Sequence, residues 1–219
     1  MKQKKESGLG YLELALLAFG GLGLEVLLAF VIEPVLYGGQ MNEWSVFQSI
    51  LHWIFTCIIW GIVIGALIIY AKNTYNFDIF QKNQALKGWQ WAGAAVCIIF
   101  SLVISYLDWE GFKVVKEFQY NGWLKFIFQY IYYIFETGLV VLIVIFGQKA
   151  FEAWFKKENI PYGGIIAAIT WGLAHIFTKG DIVAGIVCAI SGFLFGAVYL
   201  LVNRNIRITF PVLLIMFIM

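Results

Sequence analysis

The sequence predicts an all-α protein, a polytopic transmembrane bundle of about seven helical spans. Hydrophobic residues make up 62% of the 219 residues and charged residues only 13%, about half the charged share of a typical soluble domain. Because one bilayer crossing needs about 20 residues, the chain has room for six to eight spans and none for a separate soluble domain. We therefore expect a single integral membrane domain over residues 1–219.

Seven apolar segments separated by short polar connections define the predicted spans. The first follows Lys2, Lys4 and Lys5, as in a signal peptide, but its apolar run is too long and contains Glu13 and Glu25, so we expect a retained span. The last has 14 residues, about 21 Å of helix against about 30 Å of hydrocarbon, and is expected to be short. The seven spans are 9–32, 46–71, 89–107, 124–148, 163–178, 181–202 and 206–219.

The lysines and arginines predict the orientation, because positive connections stay on the cytoplasmic side. The N-terminus and the connections 72–88, 149–162 and 203–207 hold eleven of them, and the other connections hold four. We expect a cytoplasmic N-terminus and an external C-terminus, in a bacterial plasma membrane. The net charge of +2 comes without a basic face, so membrane lipids are expected partners and nucleic acid is not.

Small residues in the spans indicate close helix packing. Cysteines lie inside apolar runs without metal-binding spacing, so we expect them to be reduced packing residues. Glycines four apart allow backbones to approach where lipid supplies no hydrophobic drive. The cysteines are Cys57, Cys97 and Cys188, and the glycines are Gly61 with Gly65, Gly192 with Gly196, and the group Gly20, Gly21 and Gly23.

Two ionisable residues inside spans are the main candidates for a site. Glu136 lies about twelve residues, or roughly 18 Å, into the fourth span, and His175 lies equally deep in the fifth, which runs in the opposite direction. A charged acid at the centre of a span costs about 2.5–3.5 kcal/mol on insertion scales, and such residues usually face protein or water. A Glu and a His in one cavity are the minimum for holding a metal ion or a water for general-base attack.

Four further ionisable residues lie in or beside the first two spans. Glu25 sits deep enough to pair with a neighbouring helix. Glu13 and Glu33 are near the two membrane surfaces, where we expect them to face lipid headgroups. His52 opens the second span, and we expect it to be an interfacial polar residue. A packing role for His175 also stays open.

The C-terminal part of the chain, from about residue 130 to 219, resembles the CAAX protease and bacteriocin-processing family of intramembrane proteases, also called the abortive-infection family. The segment Trp171-Gly-Leu-Ala-His175 is similar to the Phe-x-x-x-His motif of that family, and Glu136 stands where its Glu-Glu-x-x-x-Arg motif would lie. The resemblance extends to the glycine-bearing helix around Gly192 and Gly196. It implies a glutamate-activated water that attacks a peptide bond of a membrane-associated peptide or protein substrate.

The sequence departs from the family pattern at several positions. If Glu136 is the first acid of its motif, Thr137 replaces the second and Val141 the arginine; in the other register Phe135 replaces an acid. Met216 stands where a second His is expected, and Met219 comes one residue before the expected Asn. The implied site is thus reduced to Glu136 and His175, which would also be the ligands of any divalent metal ion, although a thioether suits soft metals instead.

Three functions follow from these observations. The first is an intramembrane endopeptidase, with Glu136 as general base and His175 as its water or oxyanion partner. The second is a catalytically inactive relative that acts as a membrane binding, regulatory or bacteriocin-immunity protein. The third is a small transporter in which Glu25 and Glu136 form a proton or cation path, although no paired broken helices are visible.

Overall fold

The computed structural model describes residues 7–81 and 84–219, and these residues form seven helices and no strands. Helices account for 84% of the structure, so the predicted all-α class is confirmed. Lys2, Lys4, Lys5 and Lys82, on which part of the predicted orientation depends, lie outside the described residues. The helices are α1 (Gly8–Tyr37), α2 (Val46–Tyr75), α3 (Gly88–Asp108), α4 (Lys113–Phe155), α5 (residues 162–179), α6 (Ile182–Leu201) and α7 (Ile206–Ile218).

Two helices extend well beyond their predicted spans. α1 continues to Tyr37 instead of ending at residue 32, because a π-helical stretch at Leu28–Ile32 carries the chain onward. It ends at Gly38, whose φ of 76° is the left-handed conformation in which helices commonly terminate. α4 begins at Lys113 instead of residue 124 and contains one non-helical residue, Gly122, with φ 67° and ψ 171°. Both extensions bring polar residues into the bundle.

Five helices, α1 to α4 and α6, are long and apolar enough to cross a membrane. Large apolar side chains remain exposed on their surfaces, among them Leu17 at 59%, Ile62 at 66% and Val96 at 65%. Extended apolar surface of this kind is rare on soluble monomers and is typical of lipid-facing helices. The chain is therefore a multi-pass membrane protein. α7 is short, as predicted, and its 13 residues span about 20 Å.

α4 is the central helix of the bundle. Every residue from Leu139 to Phe146 is buried, because α1, α2, α5 and α7 all pack against this helix. A helix that is apolar on all sides needs such surroundings. α6 packs against α5 and α3 on one side of the molecule. Glu136 and Thr137, which precede this stretch by two or three residues and are also buried, are thereby held in the interior.

Close packing of the predicted glycines is confirmed between α5 and α6 and also at Gly21 and Gly61, where an added Cβ would lie 3.0 Å from Val63 and 3.1 Å from Phe135. A Cβ on Gly196 would lie 2.2 Å from the Gly164 nitrogen, and a Cβ on Gly192 would lie 2.9 Å from the Ala168 nitrogen. By contrast, nothing lies within 4 Å of the corresponding position on Gly20, Gly23 or Gly65. Gly20 and Gly23 border a cavity instead of a neighbouring helix.

Candidate functional site

A cavity of about 660 Å³ opens within the bundle, and all seven helices contribute to its lining. This volume is in the range of small-molecule and peptide pockets. The lining places Glu136 and His175 in the same cavity, together with aromatic side chains from α4, α5 and α7. Trp109 and Met41, from the connections at one end of the bundle, also border it. Its other ionisable lining residues are Glu25, Asp108, Lys113, Glu117, Lys179 and Cys188.

Glu136 is buried, with 8% of its surface exposed, and its carboxylate accepts a hydrogen bond from the Trp171 indole Nε1 at 3.0 Å. Trp171 belongs to a π-helical segment, Ala168–Gly172, in the middle of α5. Such segments are rare and occur frequently at functional sites. The hydrogen bond from the Trp171 indole therefore fixes the orientation of the Glu136 carboxylate.

His175 is oriented by the same tryptophan. Its Nδ1 lies 2.8 Å from the Trp171 carbonyl oxygen, and the two rings are 4.9 Å apart. Because a carbonyl oxygen can only accept, Nδ1 must carry the proton, and Nε2 of the neutral ring is then an acceptor. Neutral His175 is thus suited to receive a hydrogen bond from a water and does not supply a donor for an oxyanion. Trp171 links the two predicted residues, through its indole to Glu136 and through its carbonyl to His175.

A polar cluster near the start of α4 also lines the cavity. Glu117, 4% exposed, accepts hydrogen bonds from Tyr130 Oη at 3.0 Å and from Gln129 Nε2 at 3.1 Å, and the hydroxyl of Tyr133 also donates to it. Lys113 Nζ donates to the Phe217 carbonyl at 2.8 Å, near the C-terminal end of α7. These groups were missed by the sequence interpretation, because charged residues before an apolar run resemble a connection.

A second buried group lies beside the cavity, and two sequence predictions are wrong there. Glu33 does not face headgroups, and His52 is not an exposed interfacial residue; they are 1% and 3% exposed. His52 Nδ1 lies 2.6 Å from Glu33 Oε2, and Nε2 lies 3.5 Å from Glu25 Oε1. The reason is the π-helical continuation of α1, which carries Glu33 inward against α2. The prediction that Glu25 pairs with a neighbouring helix is confirmed. Glu13 is exposed, and its contact with lipid headgroups stays a prediction.

The described residues do not supply a conventional metal site. Among residues 7–81 and 84–219, no three His, Cys, Asp or Glu side chains lie close enough together to hold a metal ion. Glu136 and His175 provide two donors, whereas catalytic zinc sites use three protein ligands and a water. The donor set does not fit a metal ion, and we derive no chemical step through one.

The structure also locates the positions at which the sequence departs from the protease pattern. Thr137 and Val141, each 1% exposed, are packed into the core, and Met216, 4% exposed, borders the cavity. Comparisons of the chain with protein-family models, with curated proteins and with solved structures found no match. The chemistry of the residues that line the cavity is therefore the basis for its function.

Proposed function

We propose that this protein is an intramembrane endopeptidase that hydrolyses peptide bonds of membrane-associated substrates. The observation that supports this best is the presence of Glu136 and His175 in one cavity, both oriented by Trp171. The motif at residues 171–175 further supports a relation to the CAAX protease and bacteriocin-processing family. The lysine and arginine distribution supports an N-terminus in the cytoplasm, and the membrane that we propose is a bacterial plasma membrane.

In the proposed reaction Glu136 is the general base. It takes one proton from a water whose oxygen bonds to the carbonyl carbon of the peptide. His175 Nε2 accepts a hydrogen bond from the second hydrogen, which stays on that oxygen. The electron pair of the carbonyl moves to its oxygen, and the ammonium groups of Lys113 and Lys179, which line the same cavity, are positioned to stabilise that charge. When the tetrahedral intermediate collapses, the carbon–nitrogen bond breaks and the amine leaves with a proton.

The test is cleavage by the purified protein in lipid nanodiscs, with membrane-anchored peptides as substrates and ¹⁸O-labelled water as solvent. We expect a new carboxyl group that contains one ¹⁸O atom, and we expect the His175→Ala variant to cleave far more slowly than wild type. Mass spectrometry of the products measures both. Cleavage at the wild-type rate by both the His175→Ala and the Glu136→Gln variants would remove the assignment.

A second candidate is a non-catalytic member of the same fold that binds a membrane peptide or a partner helix as a regulatory or immunity protein. The replacement of three motif positions by Thr137, Val141 and Met216 favours it, because none of these side chains can hold or polarise a water as an acid or a histidine would. It predicts that Glu136→Gln leaves the cellular phenotype intact, whereas substitutions of Gly192 and Gly196 abolish it. Loss of the phenotype in a folded Glu136→Gln variant supports catalysis.

A further inference from the structure

The hydrolysis proposed above needs a proton donor for the departing amine. Glu136 begins the reaction as a base and becomes an acid only once it holds the proton that it takes from the water. The Nδ1–H group of His175 donates a hydrogen bond to the Trp171 carbonyl oxygen, which leaves Nε2 as an acceptor. Glu117 accepts hydrogen bonds from two tyrosines and one glutamine, so its oxygens already serve as acceptors for these three side chains.

Glu25 is a second carboxylate of the same cavity, and it comes from α1, outside the motif that contains Glu136. Its side chain is 26% exposed, and it lines the cavity. Its Oε1 accepts a hydrogen bond from Tyr132 Oη at 3.0 Å. Tyr132 precedes Glu136 by four residues on α4, so the two lie on the same helix face, about 5–6 Å apart at Cβ. The contact with Tyr132 therefore holds Glu25 on the side of the cavity that Glu136 occupies.

The imidazole of His52 connects Glu25 to a buried acid. One ring nitrogen lies 2.6 Å from Glu33 and the other 3.5 Å from Glu25 Oε1, and only 3% of His52 is exposed. A carboxylate oxygen lies beside each ring nitrogen, so both nitrogens can act as donors when the ring carries two protons. Two aromatic side chains contact this group: Trp44 packs on the His52 ring at 5.5 Å, and Tyr132 donates a hydrogen bond to Glu25.

We propose that Glu25 donates the proton to the leaving amine and that His52, held by Glu33, supplies Glu25 with that proton; this proposal rests on the proposed function. His52 Nε2 first passes a proton to the Glu25 carboxylate, which thereby becomes a carboxylic acid. As the carbon–nitrogen bond breaks, its electron pair stays on nitrogen, which takes that proton from Glu25. The proton that Glu136 took from water is then released and restores the proton on His52. Each turnover consumes one water and leaves every side chain as it began. Glu25 is the catalytic residue of the group, and His52 and Glu33 are positioning residues.

The experiment compares two substrates that share one acyl part, an amide and an ester with an acidic leaving alcohol, in wild type and variants reconstituted in nanodiscs. An amine needs a proton to leave, whereas a good leaving alcohol does not. We expect Glu25→Gln to lower kcat for the amide by about 100-fold, the lower end of general-acid effects, with KM and the ester rate unchanged. His52→Gln is expected to show the same selectivity, which a purely structural role would not produce. The matched control is Glu13→Gln, an exposed acid on the same helix, expected to match wild type on both substrates.

The possible outcomes separate this proposal from the one on which it rests. If wild type cleaves neither substrate, the proposed function fails and the donor role fails with it. If wild type cleaves both, and Glu25→Gln slows both equally or slows neither, the donor role alone is overturned. If Glu25→Gln is selective but His52→Gln slows both substrates equally while remaining folded by circular dichroism, the supply of the proton through His52 is overturned.

Discussion

Replacing Glu136 with glutamine is expected to lower kcat for peptide cleavage by about 10²–10⁴-fold, the range for loss of a general base. Glutamine has the same shape, and its carbonyl oxygen can still accept the hydrogen bond that Trp171 Nε1 donates at 3.0 Å, so the fold should be retained. It cannot take a proton from water at neutral pH. The measurement is the initial rate of cleavage in nanodiscs at saturating substrate.

The control for this variant is Glu13→Gln, which removes an exposed acid that does not line the cavity. It should cleave at the wild-type rate. A Glu136→Gln protein that is folded and cleaves as fast as wild type would show that the acid is not the base, and would leave the buried carboxylate as a partner of Trp171 only.

The second large effect is expected on stability, from Gly196→Ala at the crossing of α5 and α6. The added Cβ would lie 2.2 Å and 2.4 Å from the backbone nitrogen and Cα of Gly164. Because both neighbouring atoms belong to the backbone, relief requires the helices to separate. We expect a loss of about 1–3 kcal/mol or more, as for other overpacked interiors. Unfolding in detergent micelles, followed by circular dichroism, measures it.

The same change at Gly65 is the matched control, because nothing lies within 4 Å of the position that its Cβ would occupy. Alanine is also the better helix former, so Gly65→Ala should be as stable as wild type or more stable. Equal destabilisation by the two substitutions would show that the α5–α6 contact is looser than described. Since α5 carries Trp171 and His175, Gly196→Ala should also reduce cleavage.

The fold class and the two central residues could be predicted because each depends on a strong local signal. A run of apolar residues long enough to cross a membrane predicts a helix whatever its neighbours are. Glu136 and His175 were found because an ionisable group inside such a run is costly unless it faces protein or water. The role of Trp171 as the donor to Glu136 was not visible, because tryptophan in a span is ordinarily a packing residue.

The wrong predictions have physical causes that cannot be read from hydropathy alone. Glu33 was expected near headgroups because the apolar run ends close to it, but a π-helical stretch extends α1 and turns the acid toward His52. Lys113 and Glu117 were placed in a connection, yet they are held inside by the Phe217 carbonyl and by tyrosines of α4. In each case a partner far away in sequence stabilises the polar group.

The central claim is that Glu136 and His175 act on one water, and a double-mutant cycle on kcat tests it most directly. The cycle compares wild type, Glu136→Gln, His175→Ala and the double variant on one membrane-anchored peptide. Residues that act as a unit show strongly non-additive effects, so we predict that the double variant is no slower than the slower single variant. Losses that multiply would mean that the two side chains act independently, and would contradict a shared site.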